Sequence, residues 1–206
     1  MSALAATTVS LAASPFPPLA VGFMGLGTGY LIYGPQELFG YPKRSPSVDF
    51  GTGVWGIWLP GLMQLFAGVY LFAGLTLFGT FTQPALYAAA LAFTAYGIHW
   101  FGIGWNRLGG ADVRTNMGMT IGYTAISALG IVAFFGAHDN PVAGLFIGLT
   151  GIYVSDFFVS LGPDAPRFAN LGLKSLGIWH LGTGLWLMYL MWATTLNFVL
   201  KWTLPL

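Results

Sequence analysis

Long apolar stretches alternate with short polar segments along the whole chain. The apolar stretches are about 20 residues long, which is the length that a helix needs to cross the hydrocarbon core of a bilayer. The strands of a membrane barrel are about 10 residues long and alternate in polarity, so runs of this kind are typical of helices. The pattern predicts six spans, near residues 18–39, 53–76, 83–105, 117–137, 141–162 and 175–199.

The composition places most of the surface in lipid. Only 6% of the 206 residues are charged and 56% are apolar, whereas a soluble domain carries about 25% charged residues. Backbone N–H and C=O groups must be satisfied internally in a bilayer, so only helices and closed barrels cross it. The sequence therefore predicts an integral, multi-pass, all-α membrane protein that consists of one six-helix transmembrane domain over residues 1–206.

Charge, cysteine content and motifs exclude several classes of function. A net charge of +1 provides no basic surface for nucleic acid. The chain has no cysteine, which excludes disulfides and thiolate metal sites. No His, Asp and Glu cluster has metal-ligand spacing, and no catalytic triad, P-loop or dinucleotide fingerprint occurs in a suitable context. We expect a protein that is not an enzyme and that needs neither a cofactor nor a metal.

Basic residues and aromatic residues give expectations about placement in the membrane. The side reached after the first, third and fifth spans holds six basic residues, and the other side holds only Lys201. Basic residues favour the cytoplasmic side, so both termini are predicted to face outward. The six are Lys43, Arg44, Arg107, Arg114, Arg167 and Lys174.

Aromatic residues near span ends are predicted interfacial anchors, and they are Tyr30, Tyr33, Trp55, Trp58, Trp100, Trp105, Trp192 and Trp202.

Three ionisable groups fall well inside the predicted spans. Asp156 lies in the run YVSDFFVS, and a carboxylate at mid-bilayer costs about 2.5–3.5 kcal/mol, so it usually faces inward and is paired or functional. It could take up protons along a water-filled path, pair with Lys174 or Arg167, or reach the interface. His99 and His180 could couple permeation to pH or could form hydrogen bonds between helices.

Four segments in order resemble the acetate uptake transporter family, the succinate–acetate permeases. SPFPPLAVGF (14–23) is similar to the family's Asn-Pro-Ala-Pro-Leu-Gly-Leu-x-Gly-Phe signature, with Ser14 at the asparagine position. GLMQLFAG (61–68) resembles its Gln-Ile-Phe-Ala-Gly segment, and AFTAYGIHW (92–100) resembles its Ala-Phe-Thr-Ser-Tyr-Gly-x-Phe-Trp. YLMWATTLN (189–197) resembles a Tyr that is followed eight residues later by Asn.

The resemblance implies a six-helix protomer that assembles as a homohexamer, with one pore in each protomer. It also implies a pore constriction formed by Phe23, Tyr96 and Leu149. Apolar side chains at a constriction gate by dewetting, although packing between helices is the other role open to these three residues. The implied substrate is a small organic anion, namely acetate and also succinate or other small monocarboxylates, carried by a channel or a proton-linked transporter of a prokaryotic plasma membrane.

Polar residues near the implied constriction complete the predicted site. Gln64, Thr94 and Ser155 are candidates for the substrate path, and Asp156 and His99 are candidates for handling protons. A monocarboxylate would be repelled by an ionised Asp156 in a low dielectric. If Asp156 lines the path, we therefore expect it to be protonated or paired.

Two other functions stay open. DNPVAGLF (139–146) and YVSDFFVSLG (153–162) are similar to the fifth span of the urea and short-chain amide channels, which are also six-helix hexamers. The remaining alternative is a non-transporting subunit of a membrane complex. A comparison of labelled acetate and labelled urea in liposomes separates the first two functions, and purification as a free homo-oligomer would count against the third.

Overall fold

The structure, a computed structural model, describes residues 18–206. Ser14 and the other signature residues before Pro18 lie outside the described range. Within residues 18–206 six long helices follow one another, and they agree in number and order with the six predicted spans. They are α1 Leu19–Phe39, α2 Pro46–Leu77, α3 Ala85–Gly109, α4 Met117–Gly136, α5 Asn140–Val159 and α6 Pro166–Leu200.

Two helices begin well before the apolar runs that predicted them. Helix α2 begins at Pro46 rather than near residue 53, because Ser45 caps it by accepting the Val48 N–H at 3.3 Å. Helix α6 begins at Pro166 rather than near residue 175. Proline suits the first helical position because its missing N–H would have had no partner there. The first turns of both helices are polar, so an apolar pattern does not detect them.

Helix lengths fit a bilayer. Five helices are long and apolar enough to cross a membrane, with α4 counted from the 3₁₀ turn Val113–Asn116 that precedes it. Helix α1 has 21 residues, which at 1.5 Å per residue is about 30 Å, the thickness of the hydrocarbon core. The chain is therefore an integral, multi-pass membrane protein.

The helices form a closed ring in chain order. Each helix packs on the next one, and α6 closes the ring through an extensive contact with α1. Small residues allow this close approach. A Cβ on Gly177 of α6 would lie 2.6 Å from the Leu38 nitrogen of α1, and one on Gly27 of α1 would lie 3.2 Å from the Gly184 carbonyl oxygen of α6. The residues that face the axis of this ring form the core.

Helix α2 contains two π-helical segments, Ile57–Leu62 and Ala73–Leu77. The first contains Pro60, which has no N–H to offer a helical hydrogen bond. Its ring packs against Gly29 of α1, where a Cβ would lie 2.7 Å from Pro60 Cγ. Pro60 lies about one turn before Gln64 along α2.

Candidate solute pathway

An apolar cavity of about 110 Å³ lies inside the ring, at the end where α1 begins and α2 ends. Its wall includes Phe23 of α1, Gln64 of α2, Phe93 and Tyr96 of α3, and Leu149 of α5. We call it the apolar cavity. The three predicted constriction residues, Phe23, Tyr96 and Leu149, therefore line one space on the axis of the bundle, and each is at most 3% exposed.

The deepest residues of the apolar cavity on three helices are Leu26 of α1, Tyr96 of α3 and Leu149 of α5. Phe23 lies one turn nearer the start of α1, and its ring centroid is 5.7 Å from that of Phe93. The floor of the cavity thus consists of two leucines and a tyrosine, and Phe23 with Phe93 forms an aromatic layer above them.

The hydroxyl of Tyr96 is held by α4. It lies 2.8 Å from Ser127 Oγ, and the single hydroxyl hydrogen of Ser127 is donated to the Tyr123 carbonyl oxygen, also at 2.8 Å. Tyr96 is therefore the donor in its bond to Ser127. The ring of Tyr96 lines the cavity, while the hydroxyl that was expected to meet a carboxylate is already bonded to Ser127.

Gln64, Gln83 and Asp139 are polar residues that line the apolar cavity, and Gln64 differs from the other two in its burial. It is fully buried, and neither its amide oxygen nor its amide nitrogen has a hydrogen-bond partner among residues 18–206. A buried polar group without a partner costs about 1–3 kcal/mol. Since the side chain lines the cavity, a water or a solute there would satisfy the amide.

A polar cavity of about 190 Å³ occupies the other end of the ring. It is lined by aromatic residues and by several charged residues, whereas the described residues that line the apolar cavity include one charged residue, Asp139. We call it the polar cavity. Its principal lining residues are Tyr30, Tyr33, Gln36 and Glu37 of α1, His99, Trp100 and Arg107 of α3, Tyr153 and Asp156 of α5, and His180 of α6.

Aromatic residues of the polar cavity correct one prediction. Tyr30, Tyr33 and Trp100 were predicted to be interfacial anchors, but they are at most 2% exposed and line the cavity. This part of the prediction was wrong because closeness to a span end does not tell which face of a helix a residue occupies. The other five predicted anchors are exposed, as anchors must be, and they are Trp55, Trp58, Trp105, Trp192 and Trp202.

Glu37 and His180 form a pair that joins α1 to α6. The distance from His180 Nδ1 to Glu37 Oε2 is 2.5 Å, and both side chains are 7% exposed. The His180 ring stacks on the Tyr30 ring with centroids 4.6 Å apart. Sequence reasoning missed Glu37, because it lies at the very end of the first predicted span, where the polar segment GPQELFGYPKRSPSVD begins. The available signal was its spacing from Tyr30 and Tyr33, which places all three on one helical face.

Arg107 is held in place by neighbours on α1 and α2. Its guanidinium donates hydrogen bonds to Gln36 Oε1 and, at 3.1 Å, to Thr52 Oγ1. It also lies 3.9 Å over the Tyr33 ring and 3.7 Å from the Asp49 carboxylate. Arg44 binds the same Asp49 carboxylate at 3.0 Å, so two guanidinium groups share one carboxylate at the mouth of the polar cavity.

Asp156 and His99, the two predicted proton-handling residues, both line the polar cavity. The Asp156 carboxylate has no ion pair or hydrogen bond within the described part of the chain, and Lys174, a predicted partner, donates instead to the Leu38 carbonyl oxygen. His99 Nδ1 lies 3.2 Å from the Tyr153 hydroxyl. His99 Nε2 is buried and has no partner in residues 18–206.

Thr94 and Ser155 lie outside both cavities. Thr94 packs on α2, where a Cβ on Gly68 would be 2.2 Å from its Oγ1. Each helical residue turns by about 100°, so Thr94 lies about 200° from Tyr96 and faces away from the axis. Ser155 donates to the Gly151 carbonyl oxygen and lies 2.8 Å from Ser175 Oγ at the contact of α5 with α6.

One layer of side chains separates the two cavities. On α3 the lining passes from Tyr96 to His99, and on α5 it passes from Leu149 to Ile152, a step of about 4.5 Å along each helix. Across residues 18–206 no side chain lines both cavities. Tyr153 bridges the layer, because its ring stacks on Tyr96 with centroids 5.5 Å apart and its hydroxyl meets His99. The axis of the bundle thus holds two cavities and one thin barrier.

Comparison with known proteins identifies the fold. No protein-family model matches the sequence, and no curated protein matches it either. Among solved structures, the structure of the bacterial acetate channel SatP is similar, with a TM-score of 0.70 and 20% sequence identity. The match covers 93% of this chain and 98% of that chain. This protein is therefore a helical membrane protein with the fold of a bacterial acetate channel.

Proposed function

We propose that this protein is a membrane channel or transporter for acetate, with one pathway through the helix ring of each protomer. The observation that carries the proposal is the pair of cavities on the ring axis, which are separated by a single layer of side chains at Tyr96 and Leu149. Small movements of that layer would join the cavities. The fold shared with a bacterial acetate channel supports acetate as the solute.

The apolar cavity suits a small monocarboxylate. One water needs about 10–15 Å³ of such space, so about 110 Å³ leaves room for several waters or for a solute of four heavy atoms. Gln64 offers an amide N–H₂ group that has no partner among the described residues. None of the residues that line this cavity within 18–206 is basic. These features favour acetate over a dicarboxylate such as succinate.

We assign the constriction to Phe23, Tyr96 and Leu149, and the polar contact to Gln64. Asp156 and His99 are the proposed proton-handling groups, because both side chains line the polar cavity beyond the constriction. Thr94 and Ser155 are proposed to serve packing between helices instead.

The proposal also includes the assembly of the protein and its orientation in the membrane. We propose a homohexamer of separate pathways, in the manner implied by the sequence resemblance. The polar cavity would face the cytoplasm, since its end of the bundle holds Lys43, Arg44 and the other basic residues that favour that side. The apolar cavity would then open to the outside.

Passage of urea or a short amide is the second candidate. The observation that favours it is the presence of three carboxylates, Glu37, Asp112 and Asp156, in the wall of the polar cavity. Ionised carboxylates only accept hydrogen bonds, so they suit N–H donors better than they suit an anion.

Uptake by liposomes that contain the purified protein tests the proposal. Labelled acetate and labelled urea are compared, with uptake by protein-free liposomes subtracted. We expect acetate uptake in the wild type and a loss of about tenfold or more in Gln64→Leu, since a hydrogen bond to a charged group contributes about 1.5–3 kcal/mol. Thr94→Val is the matched control, because Thr94 Oγ1 is also buried without a partner in the described range but lies outside the cavities. Urea uptake without acetate uptake would contradict the proposal.

A further inference from the structure

We propose that the outer surface of the bundle holds a binding site for an anionic phospholipid. The acyl chain would lie in an apolar groove, and the phosphate would bind Arg167 and Lys174. Within residues 18–206 the site shares no lining residue with either cavity of the ring axis. The inference concerns a lipid partner and does not depend on which solute the ring carries.

A groove of about 610 Å³ runs along the outside of the bundle between α5 and α6. Its wall includes Ile147 and Val154 of α5 and Phe168 and Trp179 of α6, and these side chains are 38–55% exposed. The Trp179 ring packs so closely over Gly151 of α5 that a Cβ there would overlap it. We call this space the outer groove, and it is open to the lipid around the bundle.

The outer groove matches the depth of one lipid leaflet. On α5 its lining runs from Ile147 to Phe158, a distance of about 16 Å at 1.5 Å per residue. Half of the hydrocarbon core of a bilayer is about 15 Å. At the end of the groove the Phe158 ring stacks on Phe168 of α6, with centroids 6.4 Å apart. An acyl chain of one leaflet could therefore lie along the whole groove.

The hydroxyl groups of the outer groove are already bonded within the protein. Thr150 donates to the Phe146 carbonyl oxygen at 2.8 Å, and Ser155 donates to the Gly151 carbonyl oxygen at 2.7 Å. Ser175 lies 2.8 Å from Ser155 Oγ, and Ser175 is the donor because the Ser155 hydrogen is already used. No charged residue lines the groove in the part of the chain that the structure describes. These features favour an apolar occupant.

A basic pocket continues the outer groove toward the membrane surface. It is lined by Arg167, Asn170, Leu171 and Lys174 of α6, and Leu171 also lines the groove. Residues with this spacing share one face of a helix. The pocket lies in the polar first turns of α6, before the apolar run that begins near residue 175, which is where lipid head groups are expected. Basic pockets between helices at this level suit anionic head groups.

Arg167 and Lys174 have donors left for a phosphate. From residue 18 onward no carboxylate forms an ion pair with either side chain. Asp164, which precedes Arg167 by three residues, pairs with Arg114 at 3.1 Å instead. The Lys174 ammonium donates to the Leu38 carbonyl oxygen, which uses one of its three hydrogens. A guanidinium can bind phosphate through two parallel hydrogen bonds.

Charge complementarity favours a phospholipid over a second copy of the chain. The chain has six acidic side chains. Four of them pair with arginine or histidine side chains of the same chain, and they are Glu37, Asp49, Asp112 and Asp164. The other two, Asp139 and Asp156, line the cavities inside the ring. A second copy would therefore bring no unpaired acidic side chain to the basic pocket, whereas a phospholipid brings a phosphate.

Native mass spectrometry of the purified protein in detergent tests the head-group half of the site. Phosphatidylglycerol is titrated against phosphatidylcholine with the same acyl chains, and we expect the wild type to bind phosphatidylglycerol more tightly. A basic residue near the membrane surface contributes about fivefold in affinity, so Arg167→Gln should weaken phosphatidylglycerol binding by about that factor. Lys43→Gln is the matched control, because it removes a charge at the same end of the bundle while Lys43 lines neither the basic pocket nor the outer groove.

Filling the outer groove tests the acyl-chain half of the site. Val154→Trp should weaken binding of both lipids, because the indole would occupy the space of the chain. Val132→Trp is the matched control, since Val132 of α4 is 71% exposed and lies outside the groove. If Val154→Trp fails to fold, Arg167→Gln and the comparison of the two lipids on the wild type still decide the matter.

Three outcomes would overturn the lipid site. The first is equal affinity of the wild type for the two lipids. The second is equal weakening of phosphatidylglycerol binding by Arg167→Gln and Lys43→Gln, which would indicate attraction to the whole basic end. The third is dissociation of an oligomer by Val154→Trp with lipid binding retained, which would make the groove an interface between copies. Acetate uptake is measured separately in liposomes, so none of these outcomes affects the proposed function.

Discussion

Replacement of Gly97 by alanine tests how closely α2 and α3 approach. A Cβ on Gly97 would lie 2.5 Å from the Leu65 nitrogen and 2.9 Å from the Gly61 carbonyl oxygen. Both contacts are backbone atoms, which cannot rotate aside as a flexible side chain could. The two helices would therefore have to separate, and they carry Gln64 and Tyr96 in the wall of the apolar cavity.

The magnitude follows from comparison with a second glycine of the same helix. Overpacking of a tight contact costs about 1–3 kcal/mol, while alanine gains up to about 1 kcal/mol over glycine in helix propensity. Gly102 is also in α3, and a Cβ there would meet nothing within 4 Å. The propensity gain cancels between Gly97→Ala and Gly102→Ala, so Gly97→Ala should be less stable than Gly102→Ala by about 1–3 kcal/mol.

Thermal unfolding in detergent micelles, followed by tryptophan fluorescence, measures this difference. For a chain of this length, about 1 kcal/mol shifts the midpoint by roughly 2–4 °C. We expect Gly97→Ala to unfold several degrees below Gly102→Ala and to lose acetate uptake. Equal midpoints for the two variants would refute the close approach of α2 and α3, and with it the shape of the apolar cavity.

Two further predictions concern the ends of the bundle. The Asn197 side chain makes two 2.8 Å hydrogen bonds to the Leu204 backbone, so Asn197→Ala should speed trypsin cleavage after Lys201, as followed by mass spectrometry. Hydrogen bonds from the Arg114 side chain lower the pKa of Asp112 to about 2. The resulting stability is complete above the unfolded-state pKa of about 3.9 and is lost as the pH falls through about 2, so the midpoint difference between wild type and Asp112→Asn should shrink only below about pH 4.

The number and order of the helices could be predicted because lipid imposes a simple rule on the sequence. Every span must be apolar over about 20 residues, and that requirement is visible without knowledge of neighbouring helices. The polar first turns after Pro46 and Pro166 follow a different rule, namely capping and the fit of proline to a helix start. They were missed because an apolar run shows which residues lie in the bilayer and does not show where the helix begins.

The face that each residue occupies was harder to predict than its span. Tyr96 and Thr94 belong to one sequence motif, yet only Tyr96 lines a cavity, because two residues along a helix are nearly opposite each other. On α5, Asp156 and its neighbour Ser155 point about 100° apart, so Asp156 lines the polar cavity while Ser155 bonds Ser175 on α6. Helical periodicity, applied from Tyr96 and Leu149, would have separated these residues.

The pairing of Glu37 with His180 was beyond the sequence alone. The two residues are 143 positions apart, and they meet because glycines let α1 and α6 approach closely. Which turn of one helix faces which turn of another depends on that approach. A single sequence reveals small residues but not the register between the two helices.

The central claim is that acetate passes through the ring of each protomer, and modification of a single cysteine tests it most directly. The native chain has no cysteine, so a small methanethiosulfonate reagent reacts only at an introduced one. Ala92→Cys would place the thiol in the apolar cavity, and Gly102→Cys would place it on the outer side of the same helix. We predict that the reagent abolishes acetate uptake by Ala92→Cys and leaves Gly102→Cys unaffected. Unchanged uptake by Ala92→Cys, with modification verified by mass spectrometry, would contradict a pathway through the protomer.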